Sequence, residues 1–117
     1  MTVFVRAVLR PHTGREDDFV ALVQELIELS RRDAGTYRYE WFRSAEPWEF
    51  VVLEEYHDAY AVAEHQMRCA DALARMPEVA DLIQVDLHGD LAPELLEWAN
   101  RHKRAHAHLS LFPGVET

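Results

Sequence analysis

Residues 54–66, EEYHDAYAVAEHQ, concentrate the chain's candidate chemistry. Two carboxylates, a tyrosine and an aspartate stand within five residues, and His65 follows at helical spacing. Histidine is the side chain whose ordinary pKa suits proton transfer near neutrality. His65 is therefore the expected general base, with Tyr56 as hydrogen-bond donor to the substrate. Arg6, if it faces the same pocket, suits stabilisation of an enolate or phenolate. Tyr39 and Trp41 share one face of an aromatic-rich stretch and could stack on a ring. Glu54 is expected among the substrate-binding residues as a supporting carboxylate rather than a base. His57 is expected to sit exposed.

Other residues offer less. The single cysteine, Cys69, falls among small and apolar helical positions, so it is expected to be buried and inert. His102 and His106 are four apart and His108 follows, a spacing that can hold zinc or nickel. No carboxylate completes a motif such as HExxH, and no metal is expected. Packing of Leu95, Leu96 and Trp98 is the simpler role for this tail.

The elements that must position these residues follow from periodicity. Residues 3–10 alternate and are bounded by Pro11, which marks a strand. Thr13 and Glu16 have capping-box spacing ahead of Phe19, Leu22, Val23, Leu26 and Ile27, which predicts a helix over 15–32 stopped by Gly35. Residues 36–43 and 49–56 are predicted strands joined by a turn at 44–47. Asp58 is the expected cap of a second helix carrying Ala61, Val62, His65, Cys69, Ala72, Leu73 and Met76, ended by Pro77. A fourth strand over 82–88 and a third helix over 92–106 complete the chain. The order β-α-β-β-α-β is the ferredoxin-like split βαβ arrangement, an α+β class. Residues 1–90 form this unit and 91–117 an added helical extension.

Both faces of the expected sheet carry apolar residues: Val3, Val5, Ala7 and Leu9 on one, Phe4 and Val8 on the other. Two helices cover only one face, so a second copy of the chain is expected on the other as a closed pair, with the chain's own tail folding across it as the alternative.

Composition sets the outer limits. The chain has 117 residues, 49% of them apolar, enough for one globular domain. A net charge of −9 argues against a phosphate backbone as partner. No apolar run reaches membrane-spanning length. MTVFVRAVLRP does not read as a secretory leader, and a cytoplasmic setting is expected.

The stretch Glu54-x-Tyr56-x-Asp58 followed by Ala61-Val62-Ala63-x-His65, in a β-α-β-β frame, resembles the antibiotic biosynthesis monooxygenase family over about residues 2–90. That resemblance implies a dimeric α+β barrel. It also implies a cofactor-independent monooxygenase acting on a small quinol, polyphenol or polyketide-type aromatic, with O2 as co-substrate. An electron-rich phenol reacts with O2 once deprotonated, so neither flavin nor metal is required. The heme-degrading and polyketide members use an asparagine in the site. Here the corresponding position lies near Arg6, and the one asparagine, Asn100, is in the tail. The likeness is therefore to the quinol-type members and to an autoinducer-2 isomerase. An isomerase or cyclase using the same pocket for proton transfer is the second expectation, and a dimeric ligand-binding module the third.

Overall fold

The computed structural model describes residues 2–46, 48–112 and 114–115. The elements run β1 (Val3–Pro11), α1 (Glu16–Ser30), β2 (Thr36–Arg43), β3 (Phe50–Tyr56), α2 (Ala59–Arg68), α3 (Ala70–Val79), β4 (Ala80–Gly89), α4 (Ala92–Arg101) and β5 (Ala105–His108). The strands form one sheet in the order β2-β3-β1-β4-β5. The first four are antiparallel to their neighbours, as the ferredoxin-like pattern requires, and β5 adds parallel to β4.

Strand alternation decides which face each side chain takes. Val3, Val5, Ala7 and Leu9 of β1 are buried beneath the helices, whereas Phe4, Arg6 and Arg10 are exposed on the opposite side. Helix α1 lays Phe19, Leu22, Val23 and Leu26 onto the inner face. Each such side chain contributes roughly 1.5–3 kcal/mol by leaving water. Phe19 packs against Phe50 and Trp41 at centroid distances of 4.9 and 5.9 Å.

Several local expectations are corrected. Thr13 does not cap α1. The Glu16 carboxylate instead accepts the Gly14 N–H at 2.8 Å, and Arg15 occupies the cap position. The single helix expected after Asp58 is two helices, broken at Cys69, whose backbone leaves the helical region. Pro77 lies inside α3, which runs on to Val79. The last helix stops at Arg101, and residues 105–108 pair with β4. His106 and His108 therefore sit on a strand, and His102, at the end of α4, stacks on Trp98 at 4.2 Å. Among the described residues no group of three or more metal-ligating side chains comes together. Asp58 does cap α2, accepting the Ala61 N–H at 2.9 Å. The turn expected at 44–47 forms as far as Glu46, with Ser44 N–H donating to the Glu49 carbonyl, and Pro47 lies outside the described residues.

Candidate active site

Register places the site. On the inner face Tyr39, Glu54, Val5 and Leu87 lie side by side across β2, β3, β1 and β4. Glu54 is thus the charged member of an otherwise apolar and aromatic row at the centre of the sheet. Above it α2 and α4 leave a cavity of about 550 Å³, a size that suits a small organic molecule. Helix α2 lines it with Ala59, Val62, Ala63 and Gln66, residues spaced to share one helical face. Helix α4 lines it with Ala92, Leu95, Trp98 and Arg101, again at helical spacing.

Glu54 forms part of the cavity floor and is half-buried. Burial pushes its carboxyl up to about 7, and the hydrogen bond donated by the Tyr56 hydroxyl pulls against that rise. Tyr56 is fully buried at the end of β3, and its phenol is held far above the ordinary range by burial and by the neighbouring Glu54. Tyr39 is raised for the same two reasons, burial first. Neither tyrosine is a phenolate near neutrality. Tyr56 donates its hydroxyl to Glu54, Tyr39 stands beside that carboxylate in register, and neither tyrosine is among the residues lining the cavity.

His65 is 1% exposed and lies behind this pair, outside the cavity lining. Its Nδ1 faces Asp33 Oδ2 at 2.9 Å, and its ring packs on Tyr39 and Tyr56 at centroid distances of 5.0 and 5.5 Å. Burial lowers its pKa, and the Asp33 hydrogen bond opposes this. The other Asp33 oxygen accepts from Arg68 Nε. Spacing alone singles out neither Arg68 nor Asp33. The only signal of Asp33 is an acid beside the Gly35 turn, which reads equally well as a surface residue.

The other expected site residues separate. Trp41 packs edge-on against Tyr39 at 6.1 Å within the core rather than in the cavity, and its buried indole N–H has no hydrogen-bond partner among the described residues. Arg6 lies on the opposite sheet face, in register with Leu53 and Asp86. There it borders a shallow depression with Phe4, Arg38 and His88. His57 is exposed and shares a 2.6 Å hydrogen bond with the Tyr37 hydroxyl. Cys69 is buried.

Residues 2–68 match the antibiotic biosynthesis monooxygenase family. The chain belongs to that family. No curated protein matches it. Among solved structures, MupZ from Pseudomonas fluorescens is similar at a TM-score of 0.82 and 14% identity, over 98% of this chain and 94% of that one. Rv0793 from Mycobacterium tuberculosis matches at 0.69 and 24% identity, over 74% and 92%. A variant of SnoaB, a cofactor-independent oxygenase from Streptomyces nogalater, matches at 0.65 and 12% identity, over 74% and 89%. These likenesses show the fold. Against MupZ the shared fold extends into α4 and β5, the extension that completes the cavity in this family member.

Proposed function

We propose that this chain is a cofactor-independent monooxygenase acting on a small phenolic or polyketide-type aromatic, working as a homodimer. The observation that carries it is Glu54, a carboxylate shifted to about 7 and facing an apolar cavity, with Tyr56 bonded to it. Such a group takes a proton from a weakly acidic O–H or benzylic C–H at neutral pH. Tyr56, buried behind the cavity floor, keeps its hydroxyl on Glu54 and holds that carboxylate in place as it takes the proton. The electron-rich anion gives an electron to O2, and recombination forms a C–O bond as a substrate hydroperoxide. Loss of water from this species leaves a carbonyl, so a CH2 group and O2 yield C=O and H2O. Family membership supports the oxygen step. His65, expected from spacing to be the base, is better suited to holding the two tyrosines from behind, because Asp33 fixes it outside the cavity. The lone buried thiol is compatible with a cytoplasmic setting.

Oxygen consumption with a panel of quinols and anthrones tests this. The expected rate rises with pH through about 7, as Glu54 loses its proton. Glu54→Gln should lower it at least 100-fold, in line with the usual worth of a general base. Wild-type rates no higher than autoxidation would sink the oxygenase. The same acid–base pair can remove and return a proton without O2, which favours an isomerase or cyclase as the second reading. Solvent deuterium incorporation under anaerobic conditions distinguishes it.

A further inference from the structure

When Glu54 removes a proton from a phenol, negative charge appears on the substrate oxygen. In an apolar cavity that charge is costly without a hydrogen-bond donor. Tyr56 is committed to Glu54, and Tyr39 lies outside the lining. The donor must therefore come from the cavity wall. Besides the carboxyl groups, the described lining residues carry side-chain donors at Tyr60 and Gln66 on α2 and at Trp98 and Arg101 on α4.

Packing fixes the level of α2 over the sheet. Its first turn lies beyond the strand ends, where Ala61 comes against Gly35, the residue before β2. One turn further on, the His65 ring packs on Tyr39 and Tyr56. Tyr39 is in register with Glu54, and Tyr56 is bonded to it. The helix at His65 is thus level with Glu54. Gln66 follows, about 1.5 Å further along the axis and turned by about 100° to the face that Val62 and Ala63 present to the cavity. Tyr60 stands about 9 Å back along the axis, towards the strand ends, and also borders the depression lined by Gly35, Tyr37 and His57. The Glu54 carboxyl is governed by burial and by the Tyr56 hydroxyl, with no part played by the Arg101 guanidinium. A neutral amide suits this place, because it donates to an oxyanion without lowering the basicity of Glu54 as a nearby cation would.

We propose that Gln66 is the hydrogen-bond donor to the substrate oxygen that becomes charged as Glu54 takes the proton. The substrate is then a phenol or enol whose reacting O–H lies between the β3 carboxylate and the α2 amide. This assignment rests on Glu54 as the base proposed above.

The ionisation of bound 4-nitrophenol tests it without oxygen chemistry, because the phenolate absorbs visible light and the phenol does not. At pH 6 most of Glu54 keeps its proton and does not repel the phenolate. The ratio of bound phenolate to bound phenol should be about tenfold higher in the wild type than in Gln66→Met, as for one hydrogen bond to a charged acceptor. Methionine keeps the length of the side chain and removes the donor. Gln66 is exposed on α2, and thermal unfolding checks that the variant folds. Equal ratios in the two proteins, a loss in Arg101→Met but not in Gln66→Met, or no saturable binding of the probe overturns the inference. Failure of the oxygenase reading shows separately, as wild-type oxygen uptake no faster than autoxidation while Gln66→Met still lowers the bound phenolate. Failure of Glu54 as base shows as Glu54→Gln leaving oxygen uptake intact.

Discussion

At the residue scale, Glu54 couples chemistry to stability with opposite signs. Its carboxyl is raised from an ordinary 4.5 to about 7, so the folded chain holds this proton more tightly than the unfolded chain does. The stability that this group confers is complete below pH 4.5 and is lost as pH rises through about 7. Glu54→Gln keeps an acceptor for the Tyr56 hydroxyl and removes the charge. It should therefore stabilise the protein by up to about 3 kcal/mol at pH 8 and by little at pH 5. Urea unfolding at the two pH values checks this, and a loss of stability at pH 8 would mean that the carboxylate is well solvated. A variant more stable yet inactive marks a functional residue kept at a cost to the fold. The sequence already points to Glu54, Tyr56 and His65 as one group. Their division of labour was not legible there. Whether a helical histidine meets the cavity or lies behind it depends on which neighbouring side chains intervene, here Tyr39 and Tyr56, and on a partner 32 residues away, Asp33.

At the element scale, α2 must lie close against the β2 end of the sheet for its Ala59–Gln66 face to wall the cavity. Gly35 permits that approach. A Cβ at this position would stand 2.6 Å from the Ala61 Cβ on the first turn of α2, and the Gly35 carbonyl accepts the His57 N–H at 2.8 Å. Gly35→Ala should push α2 outward and destabilise the protein by about 2 kcal/mol, the usual cost of overpacking. Thermal unfolding measures the loss, and wild-type stability would show that the helix yields freely. Strands β1 to β4 and helix α1 were legible from their apolar and β-branched patterns. The break at Cys69 was not, because apolar spacing continues from α2 into α3 and no glycine marks the junction. Residues 105–108 carry weak local preference, and their strand state comes from the open edge of β4. A helical period extrapolated from 92–101 has no means of registering that edge.

At the scale of the whole molecule, no helix among the described residues covers the outer sheet face. Phe4 and Phe42 are 46% and 41% exposed there, and Phe42, Val51 and Val8 form a continuous apolar row across three strands. Beside that row Arg38 pairs in register with Glu55, and Arg6 with Asp86. The face therefore offers both charge signs together with apolar surface, which is the composition that a two-fold pair needs to meet itself. A homodimer formed through this face would leave both cavities on the outside, beneath their own α2 and α4, and open to substrate. It would also give Arg6 and Arg38 carboxylate partners from either copy, a structural role for the arginine that lies away from the cavity. Sedimentation should find a dimer at micromolar concentration. Replacing Phe4 and Phe42 together by lysine should give a folded monomer, since both side chains are exposed in the single chain and each new charge opposes its copy across the axis. Oxygen uptake that survives in this monomer would place the complete site within one chain. Loss of uptake with the monomer still folded would show that the pair holds the sheet floor, and with it Glu54, in working geometry. A wild-type monomer by sedimentation would remove the homodimer, and the exposed Phe4 and Phe42 would then need another explanation.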